Sequence, residues 1–368
     1  MRRVLGMIAV ILLPSLALLS PAPGQTTAGP RLMVVWGANS LGSKVEPALD
    51  RMRGVRATSV LLGLPWLKAS FDKRGRPVDD PPDGYAYPIE AAVIRPEGYS
   101  LFVPETERAL VASLRRRQAL LSESEAELRG PVETLRLSGW TVRVAGVVSD
   151  EATHGHEILL SAPVPRPWPG TIRTVLVRSE RSVERVRIRK AVRRAIGDGP
   201  FRMRSQLQTR FLRYAVSVRP LIAFKTNFGE FAARPAREGP LDLAPRWTDR
   251  HITTGNVPIL GQVTCHKELF PQLRGALREL KRRGESQVIR RDEYAGCFNP
   301  RYVAASPGIR ISRHTWGIAV DLNTSNNAYG AEPHQPRVLV NVMRKWGFLW
   351  GGVWMTPDGM HFEWKRWP

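Results

Sequence analysis

The chain has 368 residues, enough for two domains of ordinary size, and its 43% hydrophobic and 24% charged residues are typical of a globular rather than a disordered protein. The net charge is +22, a balance that bears on partners and non-specific binding but not on the fold. Beyond the N-terminus, no apolar run in the sequence is long enough to span a bilayer.

Residues 1–24 have the order of a secretory signal peptide. Two arginines precede an apolar run over Val4–Leu19, and small residues follow up to Gly24. The run contains Pro14 and falls short of the ~20 residues that a membrane span needs. We therefore predict export to the cell wall or periplasm with this segment removed. An uncleaved membrane anchor is the alternative.

Residues 31–218 are predicted to form a separate N-terminal mixed α/β domain of unknown role. Helical spacing of apolar residues predicts helices over Glu105–Leu128 and Val183–Ile196. The cluster His154–Glu157 lacks a third ligand at a suitable spacing, so we interpret it as a surface turn rather than a metal site. Runs rich in β-branched residues and bounded by Gly, Pro and Asp predict strands over Leu32–Trp36, Ala57–Leu62, Ala91–Ile94, Thr141–Val148, Ile158–Leu160 and Ile172–Val177.

A second domain is predicted over residues 221–368, after a seam around Val218–Leu221. Ala232–Arg250 contains three prolines and no sustained periodicity, which indicates a loop. Two amphipathic helices are predicted over Cys265–Arg283 and Arg337–Trp346, each followed by a glycine that favours a helix C-terminus. With short strands between and after them, the predicted fold class is α+β with a small antiparallel sheet.

One histidine and one aspartate of this domain are placed to converge. Apolar residues alternate with small or polar ones over Ile318–Asn323, which predicts a half-buried strand with Asp321 on the face opposite the apolar set. His314 lies just before this strand, and Gly317 between them lets the backbone turn closely.

The last segment of the chain repeats this pattern. Alternation places His361 and Glu363 away from the apolar residues, and Asp358 precedes His361 by three positions. His314, Asp321 and His361 then form a set of two imidazoles and one carboxylate. Catalytic zinc sites use such three-ligand sets and keep the fourth position for water. Asp358 would be free to act on that water.

This combination resembles the zinc peptidases of the M15 family, the D-alanyl-D-alanine carboxypeptidases and L-alanyl-D-glutamate endopeptidases. Their shared pattern is Ser-x-His-x-x-Gly-x-Ala-x-Asp, followed later by an acidic residue three positions before a histidine. The resemblance covers roughly Leu221–Pro368 and does not extend to the N-terminal domain. The fixed positions of the pattern are met by Ser312, His314, Gly317, Ala319, Asp321, Asp358 and His361.

The resemblance implies Zn²⁺ as the cofactor, His314, Asp321 and His361 as its ligands, and Asp358 as the catalytic base. The implied reaction is hydrolysis of an amide bond in the stem peptides of peptidoglycan. The family usually places an arginine near the scissile carbonyl, and Arg301 is the candidate. A plain surface arginine is the alternative for this residue.

Glu363 has two interpretations. It shares a strand face with His361 and could orient this ligand, and it is also the rival to Asp358 as the base. An aspartate at the base position resembles the endopeptidase branch more than the carboxypeptidases. Which peptide bond is cut stays open.

Cys265 and Cys297 are the only cysteines of the chain. An exported protein can join such a pair by a disulfide, and two unpaired buried thiols are the alternative. The arginine-rich stretch Arg178–Arg213 fits anionic wall polymers, and a solvated helix face is its alternative. No nucleic-acid motif is present, and a membrane partner is expected only if the signal segment stays uncleaved.

A function of another class is a non-catalytic zinc-containing module that binds the cell wall. Such a module would be free to lose Asp358, which this chain keeps. The sequence therefore favours the enzyme.

Overall fold

The computed structural model describes residues 29–38, 40–164, 171–214, 219–303 and 308–367. The predicted signal peptide and part of the predicted seam lie outside the described residues. In the part of the chain that the structure describes, no helix is both long and apolar enough to cross a membrane.

The N-terminal region is built on a large mixed sheet. Its strands follow the order β12-β1-β11-β2-β6-β10-β7-β9-β8-β3-β4, and β5 pairs with β3. The pairs β6–β10 and β7–β9 are parallel, and the other pairs are antiparallel. The strands are β1 (Arg31–Gly37), β2 (Val55–Gly63), β3 (Trp66–Phe71), β4 (Pro77–Asp79), β5 (Tyr87–Pro88), β6 (Ala91–Ile94), β7 (Gln118–Ser122), β8 (Thr134–Leu137), β9 (Trp140–Val148), β10 (Ile158–Ser161), β11 (Ile172–Ser179) and β12 (Phe201–Ser205).

Helices cover both faces of this sheet. Met33 and Val35 of β1 pack in one core cluster, while Val34 and Trp36 pack in another, as the alternation of a strand requires. The first cluster lies under α1 and α5, and the second lies under α2 and α3. The helices of this region are α1 (Val45–Asp50), α2 (Pro96–Ser100), α3 (Arg108–Ala112), α4 (Glu123–Arg129) and α5 (Arg185–Ile196).

The predicted helix over Glu105–Leu128 is wrong. The structure has a 3-10 turn and α3, then the strand β7, then α4. Leu120 and Leu121 lie in β7, which pairs with both β10 and β9 in the middle of the sheet. A short apolar run fits a buried strand as well as a helix, and here the sheet pairing decides. Arg117, with φ of 61°, turns the chain into this strand.

The C-terminal region has the predicted α+β composition, with the small antiparallel sheet in the order β15-β17-β16. A separate hairpin, β13–β14, packs with α8. The elements are α6 (Leu221–Phe228), α7 (Pro245–His251), β13 (Ile252–Val257), β14 (Gly261–His266), α8 (Phe270–Arg282), β15 (Ala319–Asp321), α9 (Arg337–Lys345), β16 (Phe348–Trp350) and β17 (His361–Trp364).

Two predicted boundaries in this region are wrong. The loop predicted over Ala232–Arg250 ends in α7, which begins with a proline and buries Trp247; proline at the first position of a helix costs no hydrogen bond. The helix predicted from Cys265 starts at Phe270, because Cys265 pairs with Thr253 in the β13–β14 hairpin.

A buried network of ion pairs joins the two regions. The side chain of Lys225 on α6 is 1% exposed, and its Nζ lies 2.6 Å from Glu157 and 2.8 Å from Glu230. Arg129 at the end of α4 also pairs with Glu230. The segment His154–Glu157 does form a turn, but the prediction that it lies on the surface is wrong. Lys225 offsets part of the cost of burying Glu157, but burial still raises the pKa of this carboxyl to about 8.

Candidate active site

Two short strands place a carboxylate opposite an imidazole. β15 and β17 pair antiparallel, with Asp321 opposite His361 and Val320 opposite Phe362. Val320 and Phe362 are fully buried in the core, so the pleat turns Asp321 and His361 to the other face. That face lies against the walls of a cleft instead of open solvent. The strand is therefore buried on both faces, and the prediction of a half-buried strand is wrong.

His314 reaches the same face from a single 3-10 turn, Arg313–Trp316. The hydroxyl of Ser312 accepts a hydrogen bond from the His314 backbone N–H at 3.3 Å. Gly317 ends the turn with φ of 64°. A Cβ at Gly317 would lie 2.6 Å from the backbone nitrogen of His266. Both the left-handed conformation and this close approach require glycine.

The three predicted ligands come together. One ligand atom from each of His314, Asp321 and His361 lies within 4.8 Å of the other two. Nε2 of His314 is 3.0 Å from Oδ1 of Asp321 and 3.1 Å from Nδ1 of His361. In a tetrahedral site with bonds of about 2.0–2.1 Å, neighbouring ligand atoms are roughly 3.3 Å apart. The three side chains can therefore bind a metal ion once their ligand atoms move slightly farther apart.

Each imidazole has a second partner on its other nitrogen. Nδ1 of His314 lies 2.9 Å from the carbonyl oxygen of Cys297. Because a carbonyl only accepts, the ring proton belongs on Nδ1, and Nε2 offers its lone pair to a metal. Nε2 of His361 lies 3.7 Å from a carboxylate oxygen of Glu363. Glu363 thus occupies the place of a residue that orients a ligand.

The electrostatics favour a positive charge among these ligands. Burial alone would raise the pKa of Asp321, but hydrogen bonds with His314 and His361 hold it well below its usual range. Burial alone would lower the pKa of His361, but the hydrogen bond with Asp321 and the nearby carboxylate of Glu363 raise it to about 10. A bound divalent cation would supply the same compensating charge.

Asp358 differs from the ligands because one of its oxygens has no partner. Oδ1 of Asp358 is buried and accepts no hydrogen bond from any residue that the structure describes. Burial, the largest influence, raises the pKa of Asp358, and the charge of Asp321 adds to it against the opposing effect of His361. The backbone N–H of Asp358 donates to the carbonyl of Gly351 at 3.1 Å, which fixes the turn. An ionisable oxygen held in this way is suited to accept a proton.

Arg301 lies at the edge of the site and not on a plain surface. Its Nη2 is 3.7 Å from Oδ2 of Asp321, and its side chain is 35% exposed. The backbone N–H of Arg301 donates to the hydroxyl of Thr315 at 3.0 Å. The guanidinium therefore keeps a fixed charge near the ligands and remains open to the cleft.

A cavity of about 330 Å³ contains the three ligands, Asp358 and Arg301. The sequence did not indicate that the N-terminal region would form part of its wall, with Trp36, Leu64 and Glu90. No motif marks these residues; only the packing of the two regions brings them here. The arginines that line the cavity are Arg213, Arg219, Arg301, Arg310 and Arg313.

The two cysteines lie beside the site. Cys265, at the end of β14, and Cys297 are joined by a disulfide. The same Cys297 provides the carbonyl that holds His314. His266 caps the turn after β14, where its Nδ1 accepts from the backbone N–H of Glu268 at 3.2 Å, a structural role.

Residues 306–364 match the M15 peptidase family model described as D-alanyl-D-alanine carboxypeptidase. The match supports an M15-family domain in the C-terminal region, as the motif predicts, and a peptidase-family function for that domain. No curated protein matches the chain. Among solved structures, the periplasmic region of MacB from Actinobacillus actinomycetemcomitans is similar with a TM-score of 0.34 and 12% identity, over 48% of this chain and 89% of that one. A likeness at that level informs neither the fold nor the function.

Proposed function

We propose that the protein is an exported zinc peptidase that hydrolyses an amide bond in the stem peptides of peptidoglycan. The observation that carries this proposal is the meeting of two imidazoles, one ionised carboxylate and one unpartnered carboxylate in a single cavity. A metal site that only stabilised the fold would not require Asp358. The buried Oδ1 of this residue has no hydrogen-bond partner among the described residues.

The residues divide into two roles. Nε2 of His314, Oδ1 of Asp321 and Nδ1 of His361 would hold the zinc. When bound, zinc supplies Lewis acidity, which lowers the pKa of water from 15.7 toward about 7. Asp358 accepts the proton of the attacking water and passes it to the leaving amine. Arg301 faces the negative charge that develops on the carbonyl oxygen, the type of stabilisation that often contributes most.

The charges of the cavity bear on the substrate. Its arginines outnumber its acidic residues. Once Asp321, a proposed ligand, and Glu363, the partner of His361, are set aside, Glu90 and Asp358 are the acidic residues that remain. Arg213 pairs with Glu90, so the excess positive charge lies with the other arginines. This balance favours a substrate with free carboxylates, and the alanine and glutamate residues of wall peptides provide them. Asp358 in place of a glutamate favours the endopeptidase branch.

The test combines metal content with product analysis. We expect one zinc per chain in the purified mature protein, by elemental analysis, and soluble peptide fragments from purified peptidoglycan, identified by mass spectrometry. His314→Ala and His361→Ala should lose most of the zinc and the activity. The matched control is His334→Ala, which removes an exposed imidazole outside the cavity and should retain both.

Two results would count against the proposal. Full zinc occupancy in both His314→Ala and His361→Ala would remove the metal from this site. Zinc bound at the site in a wild-type protein that releases no wall peptide would instead support the non-catalytic wall-binding module.

A further inference from the structure

A second cavity lies on the N-terminal region, between α1 and α5. Both helices pack on the sheet face that contains Met33 and Val35. The neighbouring Trp36 points to the opposite face and lines the candidate active site. Because successive side chains of a strand alternate, this second groove and the active-site cleft lie on opposite faces of one sheet.

The groove has a volume of about 760 Å³, and its lining is cationic and small. Among the residues that the structure describes, none that lines it carries a carboxylate. Its uncharged members are Pro47, Ala48, Met52, Ala191 and Ala195, and its cationic members are Lys44, Arg51, Arg187, Lys190 and Arg194.

The two carboxylates of α1 are engaged elsewhere. Glu46 of α1 accepts a hydrogen bond from the backbone N–H of Ser59 at 3.1 Å and pairs with Arg95. Asp50 of α1 accepts from the backbone N–H of Ala57 at 3.0 Å. Both carboxylates of α1 therefore accept hydrogen bonds from the backbone of β2. Helix α5 contains no acidic residue. The positive charge of the groove is left without a neutralising partner on its own helices.

This arrangement costs the helix stability. Arg187 and Lys190 are three positions apart, and Lys190 and Arg194 are four apart, so like charges are neighbours on one helix face. Each such pair of like charges destabilises a helix. The helix is held by the burial of Ile188 and Val192 on its other side, which the cationic row does not assist. Because the cationic row does not stabilise the fold, its presence is better explained by the binding of an anionic ligand.

The shape of the row indicates a chain of anions instead of a single one. From Arg187 to Arg194 the helix rises about 10 Å, and Lys44 and Arg51 flank the opposite side of the groove. The cationic side chains of such a row lie one after another along the groove and do not converge on a single point. The alanines Ala191 and Ala195 keep the recess open.

We propose that this groove binds a linear polyanion with phosphodiester groups, the chemistry of an anionic wall polymer. The groove would hold the protein on its wall while the opposite face of the sheet presents the cleft to peptide. The inference is independent of the peptidase chemistry, since no groove residue lines the cleft. A recessed row suits a polymer strand better than the flat surface of a membrane.

The test compares two variants with equal loss of charge. The groove variant carries Arg187→Gln, Lys190→Gln and Arg194→Gln. The matched control carries Arg115→Gln, Arg116→Gln and Arg282→Gln, three exposed cations away from the groove. Both variants lose three positive charges, so an effect of net charge alone would be the same in each.

Binding to purified polyglycerol phosphate is measured as a function of salt. With five contacts and a slope of about −0.7 per contact for a single-stranded polyanion, wild-type affinity should fall roughly 100-fold between about 50 and 200 mM salt. The groove variant should bind more weakly and lose about 2 units of that slope, while the control should keep the wild-type slope. The groove variant should melt no lower than the wild type, because its substitutions remove the repulsion between like charges. Cleavage of a soluble peptide should be unchanged in both variants.

Three results would overturn the proposal. Equal weakening in both variants would show that net charge, not the groove, binds the polymer. Wild-type binding to phosphatidylcholine vesicles containing phosphatidylglycerol, with none to the polymer, would assign the face to a membrane. If the wild type binds neither the polymer nor the vesicles, the groove is not a site for a phosphodiester polyanion.

Discussion

Replacement of Asp358 by asparagine separates proton transfer from metal binding. Asparagine keeps the size of the side chain and the backbone hydrogen bond to Gly351, but its amide cannot accept the proton. General-base assistance is worth about 10²–10⁴ in rate, which corresponds to roughly 3–5 kcal/mol of activation free energy. We expect a loss toward the upper end, because the raised pKa of Asp358 makes it a stronger base than an ordinary aspartate.

The stability of the variant should move in the opposite direction from its activity. A carboxyl whose pKa is raised in the folded state binds its proton more tightly there than in the unfolded chain. Above that raised pKa, the ionised Asp358 therefore costs the folded state free energy, and this cost is absent as the pH falls below the unfolded value. Asp358→Asn removes the cost at neutral pH, so its melting temperature should equal or exceed that of the wild type.

Peptide release from peptidoglycan and zinc content are the assays for this variant. Asp358→Asn should keep its zinc. Asp321→Asn should lose zinc, because a neutral amide replaces an anionic ligand. Glu363→Gln should lose about 10–100-fold in metal affinity or activity, as expected of a residue that orients a ligand. Asp292→Asn, which changes an exposed carboxylate, is the control and should behave as the wild type.

The reasoning would be refuted by one pattern of results. If Asp358→Asn releases peptides at the wild-type rate while Glu363→Gln is inactive with zinc bound, then Glu363 is the base. All the substitutions are nearly isosteric, so loss of folding would not account for a difference between them.

Three further predictions concern stability and metal binding. Lys225→Met should destabilise the fold by about 3–5 kcal/mol in urea unfolding, because it removes the cation beside the buried carboxyl of Glu157, while Glu230 keeps Arg129. Arg234→Met, at a pair that is exposed on both sides, should cost much less; equal costs would contradict the buried network. The oxidised chain should be two hydrogens lighter than its thiol form, and replacement of Cys265 and Cys297 by alanine should cost about 3–4 kcal/mol for a loop of 32 residues; free thiols in protein from its native compartment would argue against the bridge. Zinc binding should release the proton that His361, with its pKa of about 10, holds in the metal-free protein, so affinity should rise roughly tenfold per pH unit near neutrality; calorimetry that detects no proton release would disagree.

Several features of the fold follow from local patterns in the sequence. The strands with clear β-branched runs and the helix α5 were predictable because their periodicity and their end signals agree. The prediction of a helix over Glu105–Leu128 was wrong because Leu120 and Leu121 fit the period of a strand as well as that of a helix. Pairing with β10 and β9 settled that case, and such pairing depends on residues distant in the chain.

The sequence alone indicated that His314, Asp321 and His361 would meet, because strand alternation fixes the face on which Asp321 and His361 lie. Only the tertiary structure decided what surrounds that set. Trp36 is 285 positions before Asp321 in the chain, yet both line one cavity, and no local pattern encodes such a meeting. The burial of Glu157 is of the same kind, because the cost of burying an acidic residue depends on a partner such as Lys225, which comes from a distant part of the chain. Periodicity reports which side of an element is apolar, whereas the partner of a charge and the opposite wall of a cleft are set by how distant elements pack.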